Sequence, residues 1–375
     1  MPKSFYLTLL IGPAVPVPAP QVVLDALTGV QVNSGGTRGG FQLTFAAGNN
    51  SPLVRTMLPA GYFDPMITRV IIIATVAGFP HVLMDGIVTR QEVAPSNEPG
   101  GSTLTVTGED LSVLMDVVEM PFMRFPGMNE VAIVPAILAK YLAFGVVPLV
   151  IPPPFTSIPN PLERIPSQSG TDLGYLRQLA SACGYVFYVE PGPAPGSSIA
   201  YWGPDVRLPI PQPALNVNMD AHTNVESLSF SLDGLAKKVV VLNVFDPVTK
   251  KISLPVPVPN ISILRPPLGA RPTLPAKVEF PTDMAKWDTL EVVKRALGIL
   301  MSANDAVTAN GSLDVLRYGR VLRSRLLVGV RGAGLAYDGL YYVNTVTHNI
   351  KQGEYKQSFS LSRDGLISNT PVVPV

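Results

Sequence analysis

Charge is scarce in this chain. Only 15% of its 375 residues are Asp, Glu, Lys or Arg, against about 25% in ordinary soluble domains. Lys and Arg number 28 and Asp and Glu 27, a formal net charge of +1. No global field therefore draws the chain onto nucleic acid or an anionic membrane. A surface so poor in charge is expected to be covered by partners. The single cysteine, Cys183, excludes an internal disulfide and fits a reducing compartment. The longest apolar stretch, Val70 to Met84, is broken by Thr75, Gly78, Pro80 and His81. It falls short of the ~18–20 residues that span a bilayer. Met1 to Ile11 has no small-residue cleavage site, so no signal peptide is expected.

Catalytic signatures are missing as well. The three histidines, His81, His222 and His348, are not at metal-ligand spacing, and HExxH, CxxC and GxSxG are absent. Cys183 lies on the apolar side of an expected helix near Leu176 and Leu179, the place of a small buried hydrophobe. His348 alternates with apolar residues and reads as a half-buried strand histidine sharing a face with Leu340, Tyr342, Val346 and Ile350. No catalytic residue, metal ligand or cofactor is assigned.

What the chain has is proline and glycine, 39 and 32 of them, spread along its length. They favour short strands and turns over long helices. Strands are expected at Ser4–Leu10, Phe41–Phe45, Arg69–Val76, Val82–Glu92 and Ser102–Thr107. The period then changes. Helices fit Glu109–Glu119, with Thr107 and Asp110 as a capping box, and Asn129–Phe144, where Pro135 marks a kink or the true start. A third fits Asp172–Cys183, between Thr171 as cap and Gly184 as stop. A hairpin of Tyr185–Glu190 and Ser198–Trp202 follows. Strands return at Val225–Ser231 and Lys237–Phe245, and a proline-dense connector, Leu254–Pro275, leads to a helix over about Asp283–Ala303. Asn310-Gly311 signals a turn. Arg320–Arg331, Leu340–Ile350 and Tyr355–Arg363 are the closing strands. Along the first of these, Arg323, Arg325 and Arg331 project to one side. They are the candidate lumen or partner interface, against the plainer reading of a solvated strand face.

Several segments taken in order carry a resemblance. They are TVTGEDLSVLMD (Thr105–Asp116), RFPGMNE (Arg124–Glu130), IPSQSGTDLGYLRQLASACGYVFYVE (Ile165–Glu190), AYWGP (Ala200–Pro204), NVNMDAHTNVESLSF (Asn216–Phe230) and the stretch Leu316–Leu366. The chain resembles the late-control-protein-D family, the baseplate hub of contractile phage tails and tail-like injection systems. The resemblance implies an α+β, mainly β fold. Two β-barrel "tube" domains would form a pseudo-sixfold ring in a trimer, with an α/β domain between them. The expected division is 1–108 and 224–375 for the barrels, the second with a Pro-rich and helical insertion at about 254–311, and 109–223 for the mixed domain. The implied role is structural: a homotrimer adapting a threefold spike to a hexameric inner tube, in contact with spike protein, tube protein and other baseplate proteins. Assembly is expected in the cytoplasm, within a tail or tail-like particle. No enzyme activity, sequence-specific nucleic acid or membrane insertion is expected. No needle repeat or wall-degrading module is present, so the spike is expected on another polypeptide. Two alternatives stand beside it, a carbohydrate-binding β-sandwich protein and a hydrolase with a site near His348.

Overall fold

The computed structural model describes residues 5–370 apart from 14, 49, 99, 155, 157, 163–164, 208–210, 243–255, 258–264, 275 and 280–304. The expected helix at Asp283–Ala303 lies outside the described residues, as do residues 254–255, 258–264 and 275 of the connector before it.

The first strands are β1 (Phe5–Pro13), β2 (Val17–Pro18), β3 (Leu27–Gly35), β4 (Gly40–Ala46), β5 (Thr68–Val76), β6 (Phe79–Ala94) and β7 (Thr103–Asp110), with the short helix α1 (Gln21–Ala26) before β3. The β-branched run of β5 is buried along almost its whole length, as a continuous apolar strand covered on both faces must be. A mixed unit follows: α2 (Glu130–Leu138), β8 (Val146–Val150), α3 (Asp172–Ala182), β9 (Val186–Pro191) and β10 (Ser198–Gly203). The remaining strands include β11 (Gln212–Asn216), β12 (Ser227–Leu232), β13 (Lys238–Leu242), β14 (Val256–Pro257), β15 (Gly269–Pro272), β16 (Lys277–Glu279), β17 (Val307–Asp314), β18 (Leu327–Arg331), β19 (Gly339–Lys351), β20 (Glu354–Arg363) and β21 (Gly365–Ser368).

One sheet joins the two ends of the chain, in the order β12-β17-β20-β19-β3-β4-β7-β6-β5-β1-β2. On the flank of β19 away from β20 there are two partners in succession. β18 pairs with its first half, Leu327 opposite Tyr342, and β3 with its second, Thr345 opposite Gly35 through Lys351 opposite Gly29. The expected β-barrels are not formed. The outermost strands β12 and β2 do not pair with each other, and the second edge of β3 is taken by β19 rather than by a strand of its own set. The mainly β class with some helix stands, as an open sheet.

Other departures have local causes. Glu109 and Asp110 continue β7, and the expected helix shrinks to a single 3₁₀ segment, Leu111–Asp116, with Asp110 itself as cap, accepting from Ser112 N at 2.9 Å. Thr107 is a strand residue, so no capping box forms. α2 starts at Glu130 under an Asn129 cap and carries Pro135 inside it, then tightens to 3₁₀ from Ala139 to Phe144 before Gly145 at φ 78°. Asn310-Gly311 is no turn but the middle of β17. A Cβ on Gly311 would lie 2.5 Å from Ser227 O and 2.7 Å from Phe359 Cζ, so the glycine serves close packing.

The mixed unit has its own core. Ile133, Val134 and Ile137 of α2 and Leu173 and Leu176 of α3 cover Phe187, Val189, Ala200 and Trp202 on one face of the sheet β8-β10-β9. Cys183 belongs to this core. A buried ion pair fastens the unit to the large sheet: Arg69 of β5 meets Asp85 of β6 through two 2.7 Å hydrogen bonds and donates to Gly196 O at 3.2 Å, while Ser198 Oγ donates to Asp85 at 3.3 Å.

Candidate functional site

The outer face of the sheet β8-β10-β9 is not covered by its helices. Strand alternation puts Leu149, Ile199, Tyr201, Tyr188 and Glu190 on that face, with Tyr201 directly opposite both Tyr188 and Leu149. Across from it runs the segment Val321–Leu326, and a cleft of about 460 Å³ between them is also lined by His81 and His348. The candidate arginines Arg323 and Arg325 line it; Arg331, at the end of β18, does not.

The expected strand Arg320–Arg331 begins only at Leu327. Arg323 and Arg325 therefore sit on a turn, and alternation does not place them with Arg331. Two glutamines hold the turn. Gln357 Oε1 accepts from Leu322 N at 3.0 Å and its Nε2 donates to Leu322 O at 2.8 Å. Gln212 does the same for Arg323, at 2.8 and 2.9 Å. Arg325 adopts φ 62°, a left-handed conformation that costs a side-chain-bearing residue about 1–2 kcal/mol. Hydrogen bonds from Arg325 N to Val343 O at 2.7 Å and from Val343 N to Leu326 O at 2.9 Å hold it there.

The two arginines then differ. The Arg325 guanidinium lies 3.5 Å from the centroid of the Tyr188 ring and donates to Gly36 O at 2.6 Å. Its Nε is 2.6 Å from Glu190 Oε1, an ion contact whose angle falls outside hydrogen-bond geometry. Desolvation raises the Glu190 carboxyl above its usual range, and Arg325 opposes the shift. Arg323 is exposed, and among the described residues its guanidinium makes no ion pair. Arg320, also exposed, is within electrostatic reach of His81. Burial, then Arg323 and Arg320, lowers the His81 pKa.

His348 is a buried structural residue. Leu322 N and O fix the orientation of the Gln357 amide, so Gln357 Nε2 is the donor to His348 Nδ1 at 3.2 Å, and Tyr355 Oη lies 2.8 Å from the same nitrogen. The ring proton is thus on Nε2. Complete burial pushes the pKa down to about 3. No carboxylate is among its hydrogen-bond partners, which leaves the hydrolase reading without an oriented base. Sequence reading placed this histidine with Leu340 and Tyr342, but a register shift between Val343 and Thr345 reverses the phase of β19. His348, Val346 and Ile350 follow Tyr341 and Val343 into the core instead. Among the described residues, no group of three or more His, Cys, Asp or Glu is placed to hold a metal ion.

No protein-family model matches the sequence, and no curated protein matches it. Solved structures do. A tail protein from Neisseria meningitidis MC58 is 14% identical, with 97% of this chain and 98% of that one superposed at a TM-score of 0.60. The chain has a tail-protein fold. The 43 kDa tail protein of prophage MuSo2 from Shewanella oneidensis, 13% identical, covers 97% of this chain and 100% of its own at a TM-score of 0.64. A chain of the Francisella PdpA–VgrG complex, 9% identical, covers 99% of this chain with 60% of its own length at 0.56. The likeness to these tail and VgrG-complex proteins is one of fold.

Proposed function

We propose that the chain is a structural baseplate hub of a phage tail or tail-like contractile injection system, acting as a homotrimer between a threefold spike and a hexameric inner tube. The observation that carries this is end-to-end similarity to tail proteins of about the same length, 97% against 98% and 97% against 100% of each pair. A low content of charge, 15%, supports a subunit covered on several sides. Closed symmetric contacts also protect sheet edges such as β12 and β1. In this reading residues 1–108 and 224–375 supply the sheet that faces neighbouring subunits, and 109–223 form a peripheral unit. Exposed Arg323, and Arg331 at the strand end, contact other baseplate proteins. Assembly takes place in the cytoplasm before the particle is released.

The test is the solution mass of the chain, alone and co-produced with a spike protein from the same gene cluster, followed by negative-stain class averages. Three chains per particle, arranged around a threefold axis, are expected. A monomer that persists with the spike present would end the hub reading.

A further inference from the structure

We propose that the cleft between the β8-β10-β9 sheet and the turn Val321–Leu326 is a binding site for an extended peptide segment of a partner protein, one that carries an Asp or Glu flanked by aliphatic residues. The site goes beyond the hub reading, since it names the ligand chemistry that a partner seated in this cleft would need.

Charge is the first observation. In a chain with few charged residues, Arg323 and Arg325 line the cleft together with His81, Arg320 is within electrostatic reach of His81, and among the described residues the only carboxylate lining the cleft is Glu190. Glu190 is already engaged by Arg325. Among the described residues Arg320 and Arg323 make no ion pair, and both act electrostatically on His81. Asp110 and Asp205 act on the inner end of the cleft, at Glu190 and Tyr188, but a carboxylate brought to Arg323 would meet a guanidinium that can receive it through two parallel hydrogen bonds.

Shape and lining are the second. A volume of about 460 Å³ falls within the roughly 300–1,000 Å³ of ordinary ligand sites. The floor is aliphatic: Leu149 and Ile199 from the sheet, Val321 and Leu326 from the turn. Val147, on the same sheet face, and Leu149 are 50% and 48% exposed, so the apolar strip continues out of the cleft along β8. A base would need an open aromatic face, whereas Tyr188 is covered by Arg325 and stacked with Tyr201 at 5.0 Å. The combination selects an aliphatic peptide with a carboxylate and disfavours a nucleotide.

Rigidity is the third. The cationic wall is a turn whose backbone is gripped on both sides by Gln357 and Gln212 and which holds Arg325 at positive φ. Strain maintained by specific bonds in a cleft is the signature of a preorganised site.

The experiment uses the full chain and fluorescein-labelled hexapeptides in which one Asp or Glu, flanked by Val, Leu or Ile, is moved through every position. Each is paired with its Asn or Gln counterpart, and binding is read by fluorescence polarisation. At least a tenfold preference for the acid over the amide peptide is expected for the best register. Arg323→Gln should abolish that preference with an unchanged melting temperature, and Arg323→Glu should transfer binding to the Lys-containing counterpart. No binding across the set, equal binding of acid and amide, or a preference that survives in Arg320→Gln/Arg323→Gln would overturn the proposal. So would inorganic phosphate binding as tightly as the best peptide, which would reduce the cleft to a simple anion hole. A chain that stays monomeric yet prefers acidic peptides would lose the hub role and keep this site.

Discussion

Gln357 and Leu322 are joined by a pair of hydrogen bonds, side-chain amide to both backbone polar groups, 3.0 and 2.8 Å long. Gln357 is fully buried and also reaches His348 Nδ1. One side chain therefore ties the cationic turn to β20 and to the core histidine. Gln357→Leu strands a buried N–H and a carbonyl, leaves Tyr355 as the partner of His348 Nδ1, and should destabilise the protein by about 1–3 kcal/mol. Gln212→Ala, at a half-buried position, should lose less. Urea unfolding of the two variants checks the order, and an equal or reversed order would show that Gln357 is not the principal anchor.

His348 makes stability depend on pH. Its pKa falls from 6.5 to about 3 on folding, so the unfolded chain takes up a proton that the folded chain refuses. The contribution is whole above pH 6.5 and is lost as the pH drops towards 3, at no more than about 1.4 kcal/mol per pH unit. Carboxylates titrate in the same window, so the informative quantity is the difference between wild type and His348→Asn. That difference should shrink from pH 7 to pH 3.5. Parallel curves would show that the ring accepts a proton in the folded state.

Arg69 and Asp85 should behave as a unit. Their side chains are 6% and 0% exposed, and removing one partner leaves a buried charge, a loss of about 3–5 kcal/mol. Asp85→Leu and Arg69→Met are each expected to lower the denaturation midpoint sharply, with much of the loss regained in the double variant. Additive losses in a double-mutant cycle would remove the pair as the fastening between the mixed unit and the large sheet.

Two glycines with similar φ should respond differently to alanine. Gly353, φ 76°, lies in the turn between β19 and β20 with open space around it, so only the backbone penalty of about 1 kcal/mol applies. A Cβ on Gly35, φ 86°, would come within 2.2 Å of Asn344 O, where β19 changes partner. Gly35→Ala should cost about 3 kcal/mol. Equal melting temperatures for the two variants would mean the β3–β19 junction gives way easily.

Much of the architecture was legible where a local signal was unopposed. Thr171 and Gly184 bound α3 as read, with Thr171 Oγ1 accepting from Gly174 N at 3.2 Å, and the β-branched run of β5 needed no context. β3 was missed because LTGVQVNSG mixes glycine, asparagine and serine with only two core valines, and its stability comes from β4 and β19 on either side. Asn310-Gly311 misled because glycine serves turns and close packing alike, and only the position of Phe359 decides between them. The barrels failed for a related reason: closure depends on which strand takes the last free edge, a property of no single segment. At the cleft, Arg323 and Arg325 were singled out with Arg331 as one face of a strand, but the strand begins only at Leu327 and Arg331 lies apart from them. The different fates of Arg323 and Arg325 were not legible, because Glu190 and Tyr188 arrive from a different part of the chain.

The bond from Ser34 Oγ to Val346 O, 3.2 Å long, spans 312 residues, and it has a consequence for biosynthesis. With translation at roughly 5–20 residues per second, β3 leaves the ribosome about 15–60 s before the strand that covers its edge. During that interval β3 to β7 present an unpaired border to solvent and to other nascent chains. The glycines within and just after Leu27–Gly35 and the interruption of its apolar pattern by Gln31, Asn33 and Ser34 make that border a poor template for aggregation. The same irregularity that hid β3 from sequence reading thus protects the chain while it waits for its own C-terminal third.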